Sequence, residues 1–183
     1  MNANILNDTI RMLTKQESLS ADRLRGMFWY DMDTGIFTWK TKTPTKNFVG
    51  MKAGCVGEKG YRCISINRFQ YKAHRLAWLY VYGRWPVSQI DHINRDKDDN
   101  SISNLQEATM LENSRNKYAP KNNTSGYKGV SWSKQSNKWR VKINNNGKYY
   151  CIGYFSNINE AAAAYATSAA EHHGKFAITE KRK

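Results

Sequence analysis

Acidic side chains are scarce in this chain: 15 Asp and Glu stand against 29 Lys and Arg across 183 residues, for a formal net charge of +14. A surface so one-sided disfavours cationic partners and points to a polyanion. Cysteine is scarce too. Cys55, Cys63 and Cys151 are odd in number and have no C-x-x-C spacing, which excludes a disulfide framework and a four-cysteine zinc site. A reducing compartment, the cytoplasm, is the expectation. No apolar run approaches the ~20 residues of a membrane span, and the first residues lack a signal-peptide pattern, so no membrane partner is expected. The length excludes a large catalytic barrel and leaves one compact domain or two small ones. What is plentiful is aromatic: 13% of residues, within 40% hydrophobic, enough for folded cores.

The positive charge is unevenly distributed. Residues 1–70 carry +5, residues 71–118 only +1, and residues 119–183 carry +8. The near-neutral middle gathers its acids between Asp91 and Asp99. An acidic patch between cationic flanks repels phosphate unless it holds a cation, so this contrast points to a metal site on a nucleic-acid-binding protein; a solvated acidic turn is the alternative.

Residues 1–18 read as a polar, weakly helical lead-in. Ser20 is placed to cap a short helix running to Arg25. The segments 27–30 and 36–40 flank Asp31-Met32-Asp33-Thr34-Gly35 and predict a hairpin. Tyr61–Ile66 alternates as a strand, and residues 71–83 have helical spacing at Leu76, Leu79 and Tyr80, stopped by Gly83. Thr109-Met110-Leu111-Glu112 has the pattern of a capping box opening a helix. The polar run 119–125 predicts a linker. Beyond it come three strands, 127–132, 138–143 and 148–155, and an alanine-rich helix over 160–172 with Asn157 or Asn159 as cap and Gly174 as stop.

The stretch from Gln89 to Leu105 carries the chemistry. Phosphodiester hydrolysis needs a base near neutrality, and His92 fits. It also needs developing charge neutralised, and Asp91 offers a hard carboxylate ligand to a divalent cation. Asn104 can accept the second imidazole N–H, and Asn113 on the capped helix offers a further oxygen. Asp91 and His92 are strand neighbours, so they can share a site only at a strand end or bulge. An EF-hand is the rival for Asp96, Asp98 and Asp99, but its Gly and closing Glu are missing. His74 reads as structural or phosphate-contacting, and His172 and His173 as capping or exposed.

The run HRLAWLYVYGRWP followed by QIDHINRDKDDNSISNLQEAT resembles the HNH nucleases of the ββα-metal fold, in their phage-encoded branch, which includes intron-homing endonucleases. The resemblance covers roughly residues 60–118. It implies His92 as general base, Asn104 as its orienting partner, and Asp91 and Asn113 as ligands of one divalent metal. Position 113 carries Asn where the family's last His stands, as in the homing branch. An Asp and an Asn favour Mg²⁺, or Mn²⁺, over zinc. The C-terminal segment resembles the Apetala/ethylene-response-factor DNA-binding domain through Tyr127-Lys128-Gly129-Val130, Gly153-Tyr154-Phe155 and Glu160-Ala161-Ala162. That implies contact with double-stranded DNA through Lys128, Trp132, Arg140, Lys142 and Tyr149, with Arg115 and Lys117 as backbone contacts; Val141, Ile143 and Ile152 read as the packed face. Several of the family's sheet arginines and tryptophans are replaced here, which implies backbone affinity with modest selectivity.

The expected fold class is α+β: an N-terminal β-hairpin region over 1–59, a ββα-metal core over 60–118, a linker over 119–125, and over 126–183 a three-stranded antiparallel sheet packed on one helix. The expected function is a metal-dependent DNA endonuclease, such as a homing or nicking enzyme, targeted by its C-terminal module. A DNA-binding regulator carrying a remnant nuclease fold is the alternative, and an RNA-binding protein a third.

Overall fold

The structure is a computed structural model that describes residues 19–42, 48–120, 122–179 and 181. The lead-in expected over 1–18 lies outside the described residues. The chain forms two compact units, residues 1–107 and 108–183, each treated by itself below. The division falls ahead of the capped helix rather than at the polar run 119–125.

The first unit begins with α1 (Ala21–Met27), whose first turn is closed by the Ser20 side chain accepting from the Arg23 amide. Strands β1 (Phe28–Tyr30) and β2 (Phe37–Trp39) form the expected antiparallel hairpin. Asp31 caps its turn, its carboxylate accepting from the amides of Asp33 and Thr34. Strands β3 (Cys55–Val56), β4 (Arg62–Ile66) and β5 (Phe69–Lys72) make a three-stranded antiparallel sheet in that order. Helix α2 (Ala73–Tyr82) follows at once and stops at Gly83, whose φ of 71° is the left-handed conformation a helix end requires. Strand β6 (Gln89–His92) and β7 (Leu105–Ala108) form a two-stranded sheet, with a 3-10 turn at Ile102–Asn104 before β7.

The core of this unit is aromatic. Phe28, Tyr30, Phe37 and Trp39 from the hairpin are buried with Leu76, Ala77 and Leu79 of α2. Phe28 and Trp39 rings lie 4.3 Å apart, and Tyr30 meets Phe37 at 4.6 Å and Tyr80 at 5.4 Å. The hairpin and α2 thus share one apolar interior.

The second unit opens with α3 (Met110–Arg115), started by a complete capping box between Thr109 and Glu112. Strands β8 (Val130–Ser133), β9 (Lys138–Asn145) and β10 (Lys148–Phe155) form an antiparallel sheet with β9 central. Helix α4 (Ile158–His173) is capped by Asn157 and ends at Gly174. Val130, Val141 and Ile143 of the sheet bury against Ala161, Tyr165 and Ala169 of α4, with Trp139, Ile152 and Phe155 partly buried around them. Gly129 sits where a side chain has no room: an added Cβ would lie 2.2 Å from the Tyr165 ring. The structure is thus a mixed one of small antiparallel sheets and few helices. Among the described residues no helix is long and apolar enough to cross a membrane.

Candidate active site

Strand β6 carries a single apolar residue, yet three of its residues, Ile90, Asp91 and His92, are buried. The strand stops at His92, whose carbonyl accepts from the Arg95 amide as the chain turns away. A strand end is where neighbouring side chains escape strict alternation, so Asp91 and His92 meet the condition their adjacency demands. His92 is 4% exposed. Its ring meets the His74 ring of α2 edge-on, at 5.0 Å and 89°, and the Tyr61 ring at 5.9 Å. Burial lowers its pKa, while the Asn100 hydrogen bond and the charges of Asp91, Asp99 and Asp96 pull it back up. A neutral ring at neutral pH is what a general base requires.

The ring's Nε2 faces the Asn100 Oδ1 at 3.4 Å. Asn100 is 1% exposed and its amide donates to the Asp98 carbonyl at 2.9 Å. Asn104, expected to accept from the imidazole, has other partners. Its Oδ1 accepts from the Asn94 amide at 2.9 Å and its Nδ2 donates to the Asp99 carbonyl at 2.8 Å. Its backbone carbonyl accepts from the Ile93 amide. Asn104 therefore ties both ends of the 93–103 loop together, and Asn100 on that loop supplies the amide oxygen beside the base. Both are Asn, and spacing alone could not tell which one reaches the ring.

The buried Asp91 carboxylate accepts from Gln106 Nε2 across the sheet at 3.2 Å. Asn113, the other expected ligand, is on α3 in the second unit. Among the described residues no group of three or more His, Cys, Asp and Glu side chains is arranged to hold a metal ion. The donor in place, the buried Asp91 carboxylate, is of the hard kind taken by a divalent cation that keeps several waters. The other acids of the loop are engaged within the loop or by β4. Asp99 accepts from Ser101 and Asn94, Asp96 from the Asp98 amide, and Asp98 receives both arms of Arg62 at 2.8 and 2.7 Å.

Two supports surround these residues, of which the sequence reads His74 as structural or phosphate-contacting. His74 lies 6% exposed against His92, its Nδ1 without a hydrogen-bond partner, and burial pushes its pKa down to about 3. The N-terminal hairpin, read as accessory, buttresses the loop: the Tyr30 hydroxyl donates to the Asn100 carbonyl at 2.7 Å and the Ile102 amide to the Met32 carbonyl at 2.9 Å.

In the second unit, register sorts the expected DNA contacts. Arg140 lies opposite Ser131 and Tyr154, Lys142 opposite Cys151, and Asn144 opposite Tyr149, so these side chains share the face turned away from α4. Trp132 pairs with Trp139, which belongs to the core, and their rings meet at 5.1 Å; it stands on the other face, at the margin of the core. The Lys128 ammonium donates to the carbonyls of Ser114, Arg115 and Lys117 at 3.0, 2.8 and 3.0 Å, closing the end of α3. Burial and the charge of Lys117 lower its pKa to about 8. Arg115 donates to the side-chain oxygens of Asn145 and Asn146, and Lys117 is exposed. A groove of about 570 Å³ runs between α3 and the sheet, lined by Arg115, Lys117, Lys128, Lys142, Tyr149 and the buried His173, and no acid lines it.

Comparison with known proteins places these features in a context. The family model described as HNH endonuclease matches residues 71–115, from β5 through α3. Protein 3.8 of Escherichia phage T7 is 38% identical over 111 residues, 58% of this chain and 91% of that protein. An uncharacterized HNH endonuclease of Acanthamoeba polyphaga mimivirus is 30% identical over 128 residues, 69% of this chain and 65% of that protein. No solved structure matches the chain significantly.

Proposed function

We propose that this chain, whose residues 71–115 match the HNH endonuclease family, hydrolyses phosphodiester bonds of double-stranded DNA with His92 as general base. The observation that carries this reading is the buried His92 ring at the end of β6, kept neutral by burial and faced by Asn100, beside the buried carboxylate of Asp91. His92 takes the proton of the attacking water. Asn100 restrains the ring, and Asn104 holds the loop that carries Asn100. A bound divalent cation, Mg²⁺ or Mn²⁺, supplies stabilisation of the charge that develops on the leaving oxygen. Asp91 is the side chain of the first unit that we assign to hold it, since its carboxylate offers the hard oxygens such an ion prefers.

We assign targeting to the second unit, in the manner of the Apetala/ethylene-response-factor domain. Arg140, Lys142 and Tyr149 are the proposed contacts on the outward face of its sheet, with Lys117 as a backbone contact. Lys128, Arg115 and Trp132 support that surface from within: the first two fasten α3 and its neighbours, and the third packs on Trp139.

Incubation of supercoiled plasmid with the protein and Mg²⁺ tests the reading. Relaxed or linear product is expected, suppressed by EDTA. His92→Ala is expected to slow cleavage by about 10²-fold or more, the usual contribution of a positioned base. Equal cleavage by both proteins would remove His92 from the chemistry.

A further inference from the structure

Beside His92 lies a cationic arrangement that the hydrolytic step does not use. The Tyr61 ring carries two ammonium groups, Lys72 Nζ at 4.1 Å from its centroid and Lys97 Nζ at 4.9 Å. The same ring stands 5.3 Å from His74 and 5.9 Å from His92. Both lysines are held where they are. Lys72 ends β5, paired with Cys63 of β4. Lys97 donates to the Lys59 carbonyl at 2.9 Å, and the loop bearing it is clamped by the two-armed Arg62–Asp98 pair.

Among the described residues neither lysine joins an ion pair; the three salt bridges are Arg25–Asp22, Arg62–Asp98 and Arg84–Glu107. The acids of the loop are occupied: Asp98 by Arg62, Asp99 by Ser101 and Asn94, and Asp96 by the Asp98 amide. Asp91 is the acid of this stretch whose charge is felt at Tyr61, where burial and that charge raise the hydroxyl's pKa, and over the ring face itself stand the two ammonium groups. A ring face orients an ammonium without neutralising it. Two like charges on one ring repel each other, and a shared anion relieves that repulsion.

We propose that Lys72 and Lys97, carried by Tyr61, form a binding subsite for an internucleotide phosphate of the DNA strand engaged at His92. The proposal rests on the nuclease reading and adds to it the residues that hold the strand. Lysine meets phosphate as a point charge, so the subsite fixes the backbone and reads no base.

The test uses the full chain in EDTA, where nothing is cut, and follows binding of a labelled duplex from 50 to 300 mM KCl. Each phosphate contact contributes about 0.9 to the slope of log Kd against log salt. Lys72→Ala and Lys97→Ala should each flatten the slope by part of that amount, and the double variant by about the whole of it, while Lys→Arg replacements restore it. Tyr61→Phe should bind as the wild type does, and Tyr61→Leu more weakly. With Mg²⁺ present, the lysine variants should raise KM and leave kcat nearly unchanged. An unaltered slope in a double variant that melts like the wild type overturns the proposal, whether or not the protein cuts DNA. Flattened slopes without any cleavage would retain the phosphate contacts, overturn their tie to a cutting site, and return the failure to the nuclease reading.

Discussion

His74 and Asn100 show how single residues prepare the site. His74 is a buried base whose pKa falls from 6.5 to about 3. Between those values the unfolded chain binds a proton that the folded chain refuses, so stability is complete above pH 6.5 and is lost as pH falls toward 3. The loss is roughly 2 kcal/mol at pH 5. Urea unfolding of the wild type at pH 7.5 and pH 5 should display that drop, and His74→Phe, which cannot titrate, should lose much of it. Asn100→Ala removes the amide oxygen facing His92 and the donor to the Asp98 carbonyl. It should cost about 1–3 kcal/mol, as buried polar deletions do, and cleavage should fall well beyond what a melting curve explains. Unchanged cleavage rates at saturating Mg²⁺ would show that Asn100 does not restrain the base.

Among the elements, the β1–β2 hairpin matters through one glycine. Gly35, at φ 69°, lies so near the loop that an added Cβ would stand 2.2 Å from the Asn100 carbonyl carbon. Gly50, at φ 84°, has nothing within 4 Å of its added Cβ. Both substitutions to Ala incur the left-handed strain of about 1–2 kcal/mol, but only Gly35→Ala also collides with backbone. Thermal melting should rank Gly35→Ala well below Gly50→Ala, and only the former should impair cleavage, because it displaces Asn100. Equal melting points would mean the hairpin tip yields freely. Helix α3 depends on its two ends: Thr109→Ala removes the cap and should cost about 1 kcal/mol. Lys128→Met should cost a similar amount or more, since three carbonyls lose their donor.

Over the whole molecule the charge of +14 is what, under the proposed function, would hold DNA. Cations stand on the outward face of the C-terminal sheet, in the groove beneath it, and at Tyr61 near His92. A protein that neutralises six to ten phosphates loses about 10³–10⁵ in affinity between 50 and 200 mM salt. Anisotropy titrations of a duplex at those two concentrations should show a loss of that order, largely independent of duplex sequence. A loss of tenfold or less would confine binding to very few phosphates.

Local pattern alone established much of this. Ser20, the Asp31–Gly35 turn, Gly83, the Thr109–Glu112 box and Asn157 act on neighbours a few residues away, so their elements were legible in the chain. Alternation assigned Val141 and Ile143 to the core for the same reason, though it could not place Trp132, whose face depends on pairing with Trp139. His92 and Asp91 could be proposed for chemistry from the sequence because imidazole and carboxylate adjoin in it. Which Asn meets the imidazole, why the acids of the loop are spent on the loop, and what the N-terminal hairpin supports depend on contacts made across long stretches of chain. Tyr30 reaches Asn100 and Arg62 reaches Asp98 only once the chain has folded. Distance along the sequence carries no record of those meetings; burial and hydrogen-bond satisfaction decide them.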